Sequence, residues 1–235
     1  MFKYSIKMVF AALLLSVSTM SIAATPTPAQ VAAKAAVTQA KADAAAAAVA
    51  SKLVTARLKE AIKYEAKVKA DQAKANKAAI ALASSLIKAS AAASLNAAKL
   101  AALQAKFPTP TAAQAKLIAA ANAKLIKSQT SLTTVQTNAA LNVTVRNKLV
   151  TDLTKAITQT TAISTAAFTA SLAASNAKEA SKAVTLLASQ VKATTTGDEL
   201  DDIVALYTAK AAQVAAEAQT VITTSTTLPP AVSRS

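Results

Sequence analysis

Lysines recur with a helical period through the first half of the chain. Apart from Lys69, the lysines between residues 34 and 106 are separated by 3, 4, 7 or 11 residues, and each interval returns a helix of 3.6 residues per turn to nearly the same face. At about 100° per residue, eleven lysines fall within a sector of roughly 80°. We predict one uninterrupted helix of about 110 Å. These lysines are Lys34, Lys41, Lys52, Lys59, Lys63, Lys67, Lys74, Lys77, Lys88, Lys99 and Lys106, and the opposite side carries Leu53, Val54, Leu58, Tyr64, Val68, Leu82, Leu86 and Leu100.

Proline, glycine and capping residues predict where the helices begin and end. Residues 29–107 and 111–196 contain neither glycine nor proline, and "FPTPT" at 107–111 separates them. The hexapeptides TPTPAQ and TPTAAQ each contain the Thr-x-x-Gln capping box, with Thr27 paired to Gln30 and Thr111 paired to Gln114. We therefore predict helices over 29–106 and 111–194, joined by a hinge at 107–110.

The second long segment has a broader apolar face than the first. We place on that face Leu117, Ile118, Leu125, Leu132, Val135, Val143, Val150, Leu153, Ile157, Phe168, Leu172 and Leu186. β-Branched residues concentrate in "NVTVRNKLVT" at 142–151, where a strand is the alternative interpretation. The periodic apolar face, without glycine or proline to break it, favours a helix.

A third helix is predicted at 197–223, after "TTTGDELDD". Thr196 is its candidate cap, and the carboxylates at 198, 199, 201 and 202 suit the positive end of its dipole. A calcium loop is the alternative for this acidic cluster, but its spacing does not fit one. The chain is thus predicted to be all-α, an elongated, alanine-rich, coiled-coil-like antiparallel hairpin of two very long helices, with the shorter third helix packed at the end away from the hinge.

The first 23 residues have the organisation of a bacterial secretory signal peptide. Lys3 and Lys7 precede the apolar run MVFAALLLSV, and small residues at 21–23 suit cleavage before Ala24. A retained membrane anchor, the alternative, needs roughly 20 apolar residues. We predict a signal peptide at 1–23, a linker at 24–28, one elongated helical domain at 29–223 and a disordered tail at 224–235. The destination is the periplasm, the cell surface or the exterior, with no transmembrane span after cleavage.

Composition argues against an enzyme. The chain has no histidine, cysteine or tryptophan and one glycine, which removes the usual general base, the usual transition-metal ligands and glycine-rich phosphate loops. We predict no catalytic residue, no metal and no cofactor.

Charge predicts an anionic partner. The formal net charge is +15, and residues 72–151 contain no acidic residue. Lysine binds anions as a point charge, so the contacts are expected to be non-specific and dependent on salt. Candidate partners are a polysaccharide, lipopolysaccharide, nucleic acid or an acidic protein, together with self-association through alanine-rich helix faces. The candidate anion-binding residues are Lys74, Lys77, Lys88, Lys99, Lys106, Lys116, Lys124, Lys127, Arg146 and Lys148.

Short motifs and overall character resemble several kinds of helical protein. LTTVQ at 132–136 is similar to the LTxxQ signature of small periplasmic stress chaperones, and the charge and shape resemble the tentacle-like chaperones of the outer-membrane pathway. Threonine every seven residues from Thr130 to Thr165 resembles type I fish antifreeze proteins, which repeat threonine every eleven. Lysines eleven residues apart also occur in helices that coat lipid.

The leading prediction is an exported, non-enzymatic scaffolding protein of the cell envelope or extracellular matrix that binds an anionic polymer or surface through its lysine stripe. The alternatives are a periplasmic holding chaperone with basic helical arms and, next, a lipid-surface coat or an ice-binding helix protein.

Overall fold

Three α-helices make up the part of the chain that the structure, a computed structural model, describes: residues 25–194 and 197–229. They are α1 (Pro28–Lys106), α2 (Ala112–Ala193) and α3 (Asp198–Thr226). The all-α class and the two very long helices are as predicted. α1 begins inside the predicted linker, and α3 begins one residue later and ends three residues later than predicted. The predicted signal peptide, the Thr196 cap and the end of the tail lie outside the described residues.

Both long helices begin with the predicted capping box. The Thr27 hydroxyl accepts from the backbone N–H of Gln30 at 3.3 Å, and the Gln30 side-chain oxygen accepts from the backbone N–H of Thr27 at 3.2 Å. At the second box, the Thr111 and Gln114 bonds are 3.4 and 2.9 Å. Each box satisfies two backbone donors that a helix end leaves unpaired.

The cap of α3 is different. Gly197 occupies the N-cap with φ +95°, and no side chain caps the helix. Asp198, Glu199 and Asp201 lie in its first turn, where carboxylates interact favourably with the helix dipole. Among the described residues no group of three or more histidine, cysteine or acidic side chains could hold a metal ion.

A seven-residue repeat of covered positions joins α1 to α2. We label heptad positions a to g so that Ala33 is d and Val37 is a in α1, while Gln114 is d and Ile118 is a in α2. From 33 to 103 every a and d residue of α1 is buried or half-buried, and so is every a and d residue of α2 from 114 to 191 except Arg146. A seven-residue repeat of this kind is the pattern of a left-handed coiled coil.

The half of the hairpin away from the hinge, which we call the base (residues 25–71 and 152–229), is a three-helix bundle wherever α3 packs on the long helices. Next to the arm, around Val68 and Leu153, only α1 and α2 pack together. In the bundle α3 covers the g edge of both long helices, so that Ala50, Ala173 and Ala180 are buried at g. Small residues fill much of this core, including Ala47, Ala170 and Ala177, all 0% exposed. Such residues let helix axes approach closely.

The remaining half, residues 72–151, is a two-helix arm about 50 Å long. Its turn-side portion, residues 76–148, contains no buried residue, and its a and d side chains are half-buried apart from Arg146. Asn142 Nδ2 donates to the Ala75 carbonyl oxygen at 3.3 Å and fixes the pairing of the two helices at the start of the arm.

The predicted apolar faces are wrong in part. Leu53, Phe168 and Leu186 are 59%, 73% and 64% exposed. Seven of the twelve residues predicted on the α2 face are exposed, namely Leu117, Val143, Val150, Ile157, Phe168, Leu172 and Leu186. The cause is that alanine occupies much of the seam, so the large apolar residues do not mark it.

The β-branched segment at 142–151 is helical, and the strand interpretation is wrong. Its threonines, and those of the seven-residue threonine repeat, donate their hydroxyls to carbonyl oxygens four residues earlier, as Thr144 does to Ala140 at 3.2 Å and Thr151 to Asn147 at 3.2 Å. These bonds occupy the hydroxyls within the helix. All six threonines of the repeat, Thr130, Thr137, Thr144, Thr151, Thr158 and Thr165, lie at the outward f position and are exposed.

Candidate anion-binding surface

The lysine row of α1 crosses from one side of the helix pair to the other. It repeats every 3.6 residues or so, whereas the seam repeats every 3.5, so the two drift apart along the helix. Lys34 and Lys41 are at e, Lys88 is at c, and Lys99 and Lys106 are at g. α2 shows the same change, with Lys178 and Lys192 at e in the base and lysines only at c, f or g in the arm.

The two edges of the pair have different surroundings. In an antiparallel pair, e meets e on one side of the seam and g meets g on the other. All e and b residues of both long helices are exposed, while α3 covers most g residues in the base and none in the arm. Lysines of the base therefore lie mainly on the side away from α3. Lysines of the arm lie on the other side of the helix pair, which is the side that α3 occupies in the base.

Nine of the ten predicted anion-binding residues share that side of the arm. We call this surface, formed by the c, f and g positions of residues 72–151, the cationic face. All nine lysines are exposed. In heptad order they are Lys74, Lys88, Lys127 and Lys148 at c, Lys77 and Lys116 at f, and Lys99, Lys106 and Lys124 at g.

Arg146 is the exception. It occupies an a position and reaches across the seam, where its Nε donates to Asn76 Oδ1 at 2.8 Å. Asn76 is at e, on the side opposite the cationic face. The guanidinium thus joins α1 to α2 beside the Asn142 bond, and its anion-binding role stays a prediction.

The turn end of the cationic face combines charge with apolar surface. A shallow groove there is lined by Asn96, Lys99, Leu103, Leu117 and Lys124, among others. Lys106 Nζ lies 5.5 Å from the centre of the Phe107 ring, within the range of a cation–π interaction. Four large apolar residues of the arm are more than half exposed at c or g: Leu95, Leu117, Leu141 and Val145. Sequence periodicity missed this mixture because it did not identify the seam.

Acidic residues are confined to the base. Thirteen basic and eleven acidic residues give the described base a net charge of +2, whereas ten basic residues and no acidic one give the arm +10. Three ion pairs, Arg57–Glu60, Lys69–Glu65 and Lys182–Glu179, lie in the base. The two halves of the hairpin therefore differ in charge as sharply as they differ in packing.

Two carboxylates of the base have perturbed pKa values. The pKa of Glu65 is lowered, chiefly by the hydrogen bond from Lys69 Nζ at 2.6 Å. The pKa of Glu179 is lowered by its bond from Lys182 Nζ at 2.7 Å. In both cases the ammonium group favours the ionised carboxylate.

α1 is also long and apolar enough, by length and composition, to cross a membrane. An 18-residue window in it has a mean hydropathy of 1.5, and 6% of that window is buried. This criterion does not separate a membrane span from an alanine-rich helix of a bundle, so the prediction of no span after the signal peptide stays a prediction.

Comparison with protein families, curated proteins and solved structures found no match to this chain.

Proposed function

We propose that this protein is an exported, non-enzymatic scaffold of the cell envelope or extracellular matrix, and that its arm binds an anionic polymer through the cationic face. The observation that carries this proposal is the segregation of charge: nine lysines lie on one side of an arm that has no carboxylate. A solvated rod would be as soluble with balanced charges, which would also support its helices through pairs four residues apart.

The spacing of the lysines suits an extended anion. Nine ammonium groups along about 50 Å give roughly one charge per 6 Å of arm. Each exposed lysine contributes a weak contact, and affinity comes from the number of contacts made together and from counterion release. Lysine lacks the planar fork with which arginine recognises one particular phosphate or carboxylate. The binding should therefore depend on charge density along the polymer.

A salt titration with two matched variants tests the proposal. The arm variant replaces Lys88, Lys99, Lys106 and Lys124 by Gln; the base variant replaces Lys34, Lys41, Lys178 and Lys192 by Gln. Both lose four exposed positive charges. With a short DNA duplex as the polyanion, each lost phosphate contact lowers the slope of log K against log salt concentration by about 0.9.

We expect the magnitude of this slope to decrease by about 3 to 4 for the arm variant and by less than about 1 for the base variant. Circular dichroism should show equal helix content in both. Equal slopes in the two variants would show that total charge governs binding and that the cationic face has no special role. Absence of measurable binding by the unmodified protein at low salt would reject the proposal altogether.

A second candidate, a holding chaperone, is favoured by the exposed apolar residues on the same face. Leu95, Leu117 and Leu141 are 56%, 56% and 61% exposed, with lysines in neighbouring positions. Apolar side chains within a basic surface can hold an unfolded acidic client. An assay of client aggregation separates the candidates, because a chaperone loses protection when these leucines become Ser, whereas polymer binding should persist.

A further inference from the structure

The side of the arm opposite the cationic face is almost free of charge. We call it the neutral face: the e and b positions of residues 73–104 in α1 and 115–150 in α2. Alanine, serine, threonine and amide residues occupy most of it, and none of these positions has a charged side chain. Arg146, bonded to Asn76, is the one charge that reaches it.

Large β-branched side chains project from this neutral face. Ile80 and Ile87 are 74% and 72% exposed, and Ile126, Val143 and Val150 are 54%, 52% and 51% exposed. α3 does not cover any of them, because it lies along the g edge and only in the base. Large apolar side chains exposed on one face, with small and polar residues between them, favour an interaction site there.

We propose that a second copy of this chain covers the neutral face, so that two arms pair back to back with their cationic faces outward. Charge is the first argument. Two arms that each carry +10 repel at every other surface, and the neutral face is where the arms can touch without bringing lysines together. The two Arg146 groups lie near the base end of this face, where they can remain at its rim.

Area is the second argument. The neutral face is about 48 Å long, from 32 residues at 1.5 Å each, and about 20 Å wide, from two helices whose axes are 8–10 Å apart. That is roughly 950 Å² per partner, compared with about 800 Å² per partner in a standard stable interface.

Small side chains are the third argument. Alanine or serine occupies nine of the 21 positions of the neutral face, and small residues let helix axes approach closely.

The association of two copies does not depend on the proposed polymer binding. Cross-linking of polymer strands rests on both proposals, because a dimer with two outward cationic faces could bind two strands at once.

Sedimentation velocity without polymer tests the association. The predicted mature chain, residues 24–235, is measured at about physiological salt over a range of concentrations, together with two double variants. Ile80→Lys with Ile87→Lys places charge on the neutral face. Leu95→Lys with Leu141→Lys places equal charge on the cationic face at similarly exposed positions.

We expect a concentration-dependent dimer for the unmodified chain and the cationic-face variant, and at least a tenfold larger dissociation constant for the neutral-face variant. Helix content should be equal in all three. A monomer at every concentration would overturn the proposal, and so would equal weakening in both variants. Polymer binding is then measured separately, so that a dimer that binds no polymer would reject the proposed function and leave the association standing.

Discussion

Replacing one seam alanine by leucine tests whether small residues hold the base together. Ala47 is 0% exposed at a d position. The register fixed by Asn142 and Ala75 places Ala170 opposite it, and Ala170 is also 0% exposed. We consider Ala47→Leu, with Ala45→Leu at an exposed b position of the same helix as the control.

The two possible outcomes have opposite signs. If the seam had room, three added carbons at about 0.8 kcal/mol each would stabilise the fold by about 2.4 kcal/mol. If helix approach is limited by the alanine itself, overpacking costs about 1–3 kcal/mol. Because the two long helices lie against each other at this point with no exposed surface, we expect the second outcome.

Thermal unfolding followed by circular dichroism measures the difference. For a domain of this size about 1 kcal/mol corresponds to a change in Tm of roughly 2–4 °C, so Ala47→Leu should lower the Tm by about 2–12 °C. Ala45→Leu should leave it nearly unchanged, because alanine and leucine have similar helix propensities. A higher Tm for Ala47→Leu would refute the description of the base as an alanine-limited seam.

Three smaller predictions concern the helix ends and the Glu65 ion pair. Gly197→Ala should destabilise the chain by about 1 kcal/mol in urea unfolding, because φ +95° is strained for any residue with a Cβ; no change would show that α3 can begin differently. Thr111→Ala should lower the free energy of unfolding by about 1 kcal/mol and raise the rate of amide hydrogen exchange in the first turn of α2. An unchanged exchange rate would contradict the capping role. The pKa of Glu65 is lower in the folded chain than in the unfolded chain. The ionised Glu65 therefore stabilises the fold fully above its unfolded pKa, and this stabilisation is lost as the pH falls through its folded pKa. Glu65→Gln should therefore reduce the loss of Tm between pH 7 and pH 3, and an identical loss would contradict this assignment.

The helix boundaries could be predicted from the sequence because their causes are local. The Thr-x-x-Gln boxes, the prolines at 108 and 110 and the long spans without glycine act within a few residues. Tertiary contacts are not needed to position them. This is why the bounds of all three helices in the structure lie within a few residues of those that the sequence indicates.

The side on which the lysines lie could not be predicted in the same way. The lysines of α1 share a phase on a straight helix of 3.6 residues per turn, whereas the cationic face is defined relative to a seam that follows a seven-residue repeat. That seam is carried largely by alanine, as at Ala47 and Ala170, while bulky residues such as Phe168 are exposed. Large apolar residues therefore do not mark the seam positions, and the burial pattern of the structure is needed to separate the cationic face from the neutral face.

Lysine footprinting tests the central claim most directly. The unmodified chain is treated with an amine-acetylating reagent, with and without a DNA duplex at low salt, and the modification rate at each lysine is measured by mass spectrometry. Modification rates should fall several-fold at Lys88, Lys99, Lys106 and Lys124 and stay unchanged at Lys34 and Lys178 in the base. Uniform protection of all lysines, or stronger protection in the base, would contradict the central claim.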